Sequence, residues 1–181
     1  MAADIFLRLA APRGASASIL GESTTGKLEK WIEITSYDLS TTQPVEGSRS
    51  TSGAPTSGRA DHEDVGFAKQ MDTATPGLLM CCCAGDIIPD GEISHYSMVN
   101  NKKELFAHFY MTDLVITEVS LSGSDGVPEE TLKLSYGGIQ WWYRQIDHSS
   151  GSVVGKHLKS WDVIHNKPDA ARMKEPTIQA I

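Results

Sequence analysis

Apolar and polar residues alternate over many short stretches of the chain, and turn residues separate these stretches about every eight to twelve positions. A period of two is typical of β-strands with one buried face. The stretches are residues 4–9, 30–37, 61–69, 86–101, 104–111, 114–121, 130–147 and 157–167. This pattern predicts a mainly β protein, an antiparallel sandwich or barrel.

The longest stretch, residues 130–147, contains a change of parity. Apolar residues occupy even positions in 132–136 and odd positions in 139–143, and the change falls at the adjacent glycines 137 and 138. A glycine bulge produces such a change, so we expect a strand pair or one bent strand here.

After this bend, Trp142 and Arg144 are expected on the outer face of the sheet, because their neighbours of opposite parity face inward. Trp and Arg are enriched among the residues that carry most of the binding energy of an interface. Trp142 and Arg144 are therefore candidates for contacts between subunits. The alternative is that another segment of the same subunit covers Trp142.

One stretch lacks the alternation and predicts a helix that begins at Pro76 and ends at Ala84. Thr75 is placed to cap its first N–H groups, and Gly85 to allow a left-handed end. No side chain between them is charged or strongly polar. Because a helix that is apolar all round is buried all round, we expect the sheet on one side and a neighbouring subunit on the other. The candidate interface residues of this helix are Met80, Cys81 and Ala84.

Two segments fall outside the strand pattern. Residues 38–59 are rich in Ser, Thr, Gly and Pro, and loops of this length are usually functional or disordered. Residues 168–181 are expected to form a flexible C-terminal tail after a single domain of residues 1–167.

Charge and apolar content argue against two kinds of partner. The net charge of −7, without any basic run, argues against nucleic acid. No apolar stretch approaches the ~20 residues of a membrane-spanning helix. Residues 5–11 are largely apolar, but Asp4 stands where a secretion signal needs a positive charge, so we expect no cleavable signal peptide.

Three patterns resemble chemical sites, and each has a simpler explanation. The consecutive cysteines 81–83 lie about 100° apart on a helix and lack metal-ligand spacing, so we expect small, reduced, buried side chains. Residues 21–27 match part of a phosphate-binding loop, but Leu28 replaces the required hydroxyl and a strand follows. Residues 62–64 (His-Glu-Asp) alternate between the faces of a strand. We expect no catalytic residue, cofactor or metal.

Short motifs spread over nearly the whole chain match one known family. They are DIFL at 4–7, GES at 21–23, GRADHED at 58–64, D-x-A-T-P-x-L at 72–78, residues 114–124 with their Ser-Gly-Ser ending, E-T at 130–131 with Y-G-x-I-x-W-x-Y at 136–143, and W-D at 161–162 with N-K at 166–167. In this order they resemble the haemolysin-coregulated proteins (Hcp), the tube-forming subunits of bacterial type VI secretion. Residues 38–59, Trp142 and residues 168–181 depart from the family pattern.

The resemblance implies a two-sheet antiparallel β-barrel with one flanking helix, which assembles into a hexameric ring. Rings of this family stack into a tube inside a contractile sheath, are expelled with a spike tip, and can hold effector proteins in the lumen. The chain is thus expected to be a structural subunit and not an enzyme. Assembly is expected in the bacterial cytoplasm, and residues 38–59 are expected to contact other subunits or stacked rings.

Two other functional classes stay open at this point. A β-barrel enzyme or carrier that oligomerises should have an accessible pocket with convergent polar groups inside one subunit. An adaptor that binds a different partner through its apolar helix should be a monomer in isolation. Light scattering on the purified protein distinguishes the monomeric adaptor from the assembling classes.

Overall fold

The computed structural model describes residues 4–14, 19–46, 56–99, 101–123, 125–147, 150, 152–169, 175–177 and 180–181, and these residues form a mainly β fold with one α-helix. The helix, α1, is Thr75–Ala84, and a single 3-10 turn is Gly26–Leu28. The strands are β1 Ile5–Leu9, β2 Ile32–Ile34, β3 Ser36–Asp38, β4 Thr41–Thr42, β5 Val45–Glu46, β6 Thr56–Ser57, β7 Asp61–His62, β8 Val65–Gln70, β9 Ile87–Val99, β10 Lys102–Ser122, β11 Glu129–Ser135, β12 Gly138–Ile146, β13 Val153–Asp162 and β14 Lys167–Pro168. The predicted fold class is confirmed.

The 21-residue strand β10 is the centre of a ten-stranded antiparallel sheet. β9 pairs with β10 from Lys102 to Val115. The sequence predicts two strands here, 104–111 and 114–121, and the structure has one. Asp113 adopts a left-handed φ of 53° within the strand, and the register places it opposite a proline, which has no N–H to donate. No ladder bond is lost to the proline at this position, and the pairing resumes at Leu114, so the strand continues past Asp113.

The other side of β10 is covered by the bent strand that the parity change predicts. β11 pairs with residues 115–122 of β10, and β12 pairs with residues 107–112. At the bend, a Cβ on Gly137 would lie 2.9 Å from a side-chain carbon of Ile164 and 3.1 Å from Cβ of Asp113. Glycine avoids this crowding, and the chain bends at Gly137 as the parity change predicts.

Different strands continue the sheet on the two sides of the bend, because β8 joins β11 whereas β13 joins β12. On the far side, β1 pairs with both β9 and β2, and β3 pairs with β8. Only Thr35 separates β2 from β3, and its N–H donates to the carbonyl oxygen of Ala68 at 2.8 Å. Through these pairings and Thr35, the strands follow a closed path, which we call the circuit, and this path surrounds an apolar core.

Two apolar clusters lie on opposite faces of the sheet. The larger one fills the circuit and includes Leu7, Ile93, Met111 and Ile139. The smaller one lies on the outer face of β12. Its members are Phe6, Leu28, Tyr96, Leu105 and Trp142, with Trp31, Leu158 and Ile181 packed against them.

The described part of residues 38–59 is a β-hairpin arm and not an irregular loop. β4 pairs with β7, and β5 pairs with β6. The amide of Gln43 donates to the carbonyl oxygen of Gly58 at 2.6 Å, and Arg59 donates to the carbonyl oxygens of Val163 and Ile164 at the base of the arm. Residues 47–55, the middle of the expected loop, lie outside the described residues.

The described C-terminal residues lie against the outer face of the sheet. Pro176 is buried, and Ala180 forms a β-bridge with Glu104. The N–H of Ile181 donates to the carbonyl oxygen of Lys103 at 3.0 Å. These contacts hold this part of the expected tail on the domain. The domain boundary at residue 167 stays a prediction.

Candidate functional site

The helix α1 presents one buried and one exposed side. Leu78 and Cys81 are 0% and 4% exposed and belong to the larger core cluster. Met80 is 68% exposed, and Cys83 and Ala84 are exposed beside it. The sequence by itself leaves open which residues of the helix face outward. The structure places Met80 and Ala84 outward, whereas Cys81 packs inward and is not on the free face.

Further apolar residues extend this exposed side. Leu20, Met71 and Ile87 are between 41% and 46% exposed, although each is a large apolar residue. The hydroxyl of Thr73 donates to the carbonyl oxygen of Leu20 at 3.1 Å, which fixes Leu20 beside the start of the helix. We define the helix surface by six exposed residues on or beside α1. Its members are Leu20, Met71, Met80, Cys83, Ala84 and Ile87.

A buried polar cluster anchors the start of α1. The ammonium group of Lys69 contacts Glu130 at 2.9 Å and Asp72 at 2.7 Å, and the side chains of Lys69 and Glu130 are both fully buried. The hydroxyl of Thr75 donates to Glu130 at 2.5 Å. Thr75 was predicted to cap the helix, but Ala74 occupies the N-cap position, and the Thr75 hydroxyl is engaged in this cluster. The cluster ties α1 to β8 and β11.

The predicted end of the helix is confirmed. Gly85 has a left-handed φ of 67°, and its N–H bonds to the carbonyl oxygen of Cys81. The N–H of Asp86 bonds to the same oxygen at 3.1 Å. Burial, reinforced by the nearby carboxylate of Asp86, raises the pKa of the Cys81 thiol. Cys81 is therefore a poor nucleophile, in line with a packing role.

Trp142 and Arg144 lie on the outer face of β12, as their parity predicts, but they are not on a free surface. Trp142 is 1% exposed and Arg144 is 3% exposed within the single subunit. The smaller core cluster, with Leu28, Trp31 and Ile181 from both ends of the chain, covers Trp142. The guanidinium of Arg144 lies 5.4 Å from the Trp142 ring and pairs with Glu104. The expectation of exposed anchors at these two positions is corrected.

The structure reveals an aromatic surface that the sequence patterns do not predict. The rings of Phe106 and Tyr143 are 5.3 Å apart, and the imidazole of His157 stacks on Tyr143 at 6.2 Å. The ring of His95 lies 6.2 Å from Phe106. Tyr143 was expected to face inward, and it is 42% exposed. We define the aromatic surface as His95, Phe106, Tyr143 and His157.

The residues that build the aromatic surface come from four different stretches. The only signal in the sequence is the parity of Tyr143, which places it on the inward face. Tyr143 belongs to neither apolar cluster, and it lies opposite Ala107 near the start of β10. The inward face therefore ends in solvent at this end of the sheet.

A small polar cavity of about 160 Å³ lies under residues 175–177. Glu92 accepts hydrogen bonds in this cavity from Arg8 and, at 2.8 Å, from Nε2 of His108. Although burial opposes ionisation, these partners lower the pKa of Glu92. The carboxylate of Glu92 and the guanidinium of Arg8 thus pair with each other, as in a structural ion pair.

The other sequence patterns do not assemble into chemical sites. Nδ1 of His62 lies 3.1 Å from the Tyr136 hydroxyl, and Asp64 accepts from Thr117 at 2.6 Å, so these two side chains have different partners. No group of three or more His, Cys, Asp or Glu in the described ranges is arranged to hold a metal ion. Nor does any helix among the described residues have the length and apolar character that crossing a membrane requires.

Comparison with known proteins places this geometry in a family. A family model described as "Type VI secretion system effector, Hcp" matches residues 6–143, more than half of the chain. "Protein hcp1" of Pseudomonas aeruginosa is 24% identical over 107 residues, which are 58% of this chain and 65% of that protein. The match thus spans less than two thirds of that relative's length.

Solved structures agree over more of the chain. One described as "Structure of a type six secretion system protein" is 26% identical, covers 93% of this chain and 100% of its own, and has a TM-score of 0.80. Hcp1 from Salmonella typhimurium is 26% identical with the same coverages and a TM-score of 0.71. The ordered motifs, the bent two-sheet fold with its flanking helix and these matches lead to one conclusion: the chain belongs to the Hcp family of type VI secretion proteins.

Proposed function

We propose that this protein is a structural subunit of the type VI secretion inner tube, and that six copies close into a ring. The observation that carries the proposal is the helix surface. Met80 is 68% exposed on a helix without a charged residue. An apolar patch of this kind is typical of a surface that another protein covers. A second copy of the chain is the partner that the family supports.

The hairpin arm is proposed to join stacked rings. Its described strands pair as two ladders that are separate from the ten-stranded sheet, and Arg59 fastens its base to residues 163–164. A braced arm is suited to reach a neighbouring ring. Removing residues 48–57 should leave single rings intact and shorten or abolish the tubes seen by electron microscopy. Tubes of normal length would show that the arm has no part in stacking.

The remaining partners follow from this role. The tube would contact the sheath around it and the spike at its tip, and its lumen would carry effector proteins. The subunit would assemble in the bacterial cytoplasm and leave through the secretion apparatus without a cleavable signal peptide. The chemistry of such a role is binding and not catalysis.

Charge placed on the helix surface tests the proposal. Met80→Glu and Ala84→Glu, made separately, should abolish rings, because burying an unpaired carboxylate in a joint costs several kcal/mol. Val127→Glu is the matched control, since Val127 is 58% exposed in the loop after β10. Circular dichroism should show all three variants folded, and light scattering should show rings only for the control. Wild-type-like rings in both helix variants would contradict the proposal.

A carrier is the second candidate, and the cavity under residues 175–177 is the observation in its favour. The cavity is small, and Glu92 is engaged by Arg8 and His108. Glu92, Arg8 and Nε2 of His108 therefore satisfy one another, which favours the structural role, whereas Nδ1 of His108 is buried without a hydrogen-bond partner among the described residues. A small-molecule ligand that raises the melting temperature of wild type but not of His108→Ala would favour the carrier.

A further inference from the structure

We propose that the outer face of the sheet carries a binding groove for an extended peptide segment of another protein. In the structure the groove is covered by residues 175–177 and 180–181 of the same chain, which we call the strap. The groove lies within one subunit, so this inference goes beyond the proposed function and does not require a ring. We define the groove by the residues that the strap contacts or covers, which are Trp31, Lys103, Glu104, His108, Trp142 and Lys156.

One end of the groove is an open edge of β10. The register of β10 with β12 ends at Ala107, whereas β10 begins five residues earlier, and β9 occupies the opposite edge there. Ala180 pairs antiparallel with Glu104 on the open edge. The N–H of Ile181 donates to the carbonyl oxygen of Lys103 at 3.0 Å. The strap therefore adds to the sheet as a very short strand, which is one of the ways in which extended peptides bind to proteins.

An apolar pocket lies beside this edge and receives the side chain of Ile181. Ile181 packs against the smaller core cluster, to which Trp142 and Leu105 belong. Trp31 and Leu158 are partly buried against the same cluster. Pockets for alternate side chains give strand-adding peptides their specificity. A branched aliphatic side chain is therefore what the groove selects at this place.

A lysine marks the other end of the groove. The ammonium group of Lys156 on β13 lies 3.3 Å from the carboxylate of Glu175, and both side chains are exposed. An exposed ion pair of this kind contributes little to affinity, but it favours one register of the segment over others. The matching segment thus has an acidic residue six positions before its aliphatic one.

Between these two ends the strap fits its surroundings poorly. Residues 175–177 lie over a cavity of about 160 Å³, and a second cavity of about 50 Å³ lies between Pro176 and Trp31. Protein interiors are normally close-packed, and a gap forfeits dispersion contacts. Glu92 and Arg8 on the floor of the larger cavity pair with each other, so they stay paired when the strap leaves. A segment whose side chain enters this cavity gains contacts that the strap does not make.

The occupant that fits these observations is a different protein and not a second copy of this chain. Each copy carries its own strap, which binds in its own groove at the high effective concentration of an intramolecular contact. An identical segment from another copy therefore gains nothing by exchange. A segment that keeps the acidic and aliphatic positions and also fills the cavity displaces the strap.

Binding of a synthetic peptide to a shortened chain tests the groove directly. The peptide has the sequence of residues 175–181 with both ends blocked, and the protein variant ends at residue 174. Fluorescence anisotropy should show binding at least about tenfold tighter to the shortened chain than to wild type, because the strap competes in wild type. The matched control peptide carries Ile181→Asp and should bind the shortened chain at least about tenfold more weakly, since a carboxylate cannot enter the apolar pocket without cost.

A charge exchange tests the register of the segment. In the shortened chain, Lys156→Glu should weaken binding of the native peptide by about two- to fivefold, as expected for an exposed ion pair. A peptide carrying Glu175→Lys should recover this loss. A peptide that binds both proteins equally well in either form would contradict the register.

Displacement of the strap from the full chain tests the partner. Thr177 lines the larger cavity, so a peptide carrying Thr177→Gln places a longer polar side chain there. This peptide should release the strap of wild type at a lower concentration than the native peptide does. Release is measured as faster hydrogen exchange of the Ile181 N–H, which donates to Lys103 in the structure.

The outcomes decide between the possible occupants. If circular dichroism shows that the shortened chain is unfolded, full-length Ile181→Asp, whose strap is detached from the pocket, replaces it in the same titrations. No binding of the native peptide, or binding that Ile181→Asp in the peptide does not weaken, would overturn the groove. A Thr177→Gln peptide that releases the strap no better than the native peptide would overturn the proposal of a different partner and make a second copy the occupant.

Discussion

Replacing Trp142 by alanine is expected to destabilise the single subunit and not merely its assembly. Trp142 is 1% exposed and packs within the smaller core cluster, against Phe6, Tyr96 and Leu105. Removing a buried tryptophan leaves a cavity that its surroundings only partly fill, and costs about 3–5 kcal/mol. In a chain of this size, that loss corresponds to a fall in melting temperature of roughly 6–20 °C.

Tyr143→Ala is the matched control, because Tyr143 is the next residue of the same strand and is 42% exposed. It loses mainly its ring contacts with Phe106 and His157, worth about 0.5–1.5 kcal/mol. The free energy of unfolding of both variants should be measured by urea titration at a concentration where light scattering shows the same oligomeric state.

The expected order of stability is wild type, then Tyr143→Ala close below it, then Trp142→Ala well below both. Trp142→Ala as stable as Tyr143→Ala would refute the reasoning from burial. If Trp142→Ala kept this stability but no longer formed hexameric rings, Trp142 would act in the contact between subunits.

Three further predictions concern other parts of the subunit. Lys69→Met should lower the free energy of unfolding by about 3–5 kcal/mol in denaturant titrations, because it leaves the buried carboxylate of Glu130 without its cation, and adding Glu130→Gln should restore part of the loss. A thiol reagent should modify Cys83 first in the dissociated subunit and Cys81 only on unfolding. Denatured, unreduced protein should contain three free thiols, and a disulfide in freshly purified protein would contradict this. Burial raises the pKa of Tyr96 to about 12, so its neutral form stabilises the fold below pH ~10 and this contribution is lost as the pH rises toward 12. Tyr96→Phe should therefore show a smaller loss of stability over that pH range than wild type.

Local patterns in the sequence determined the helix and the bend of this fold. The helix α1 follows from Pro76 and Gly85 at its ends and from the absence of charge between them, all of which are properties of adjacent residues. The bend before β12 follows from the parity of residues 132–143, which changes at Gly137 between β11 and β12. The ordered motifs were also sufficient to identify the family.

The tertiary structure alone decided which faces are free. Parity placed Trp142 on the outer face of β12, but whether that face meets water depends on Leu28 and Ile181, which are more than a hundred residues apart. Likewise, Tyr143 has inward parity but lies beyond the enclosed core, so its ring is exposed. The period of a strand fixes the direction of a side chain relative to its own backbone, whereas exposure depends on what the rest of the chain packs there.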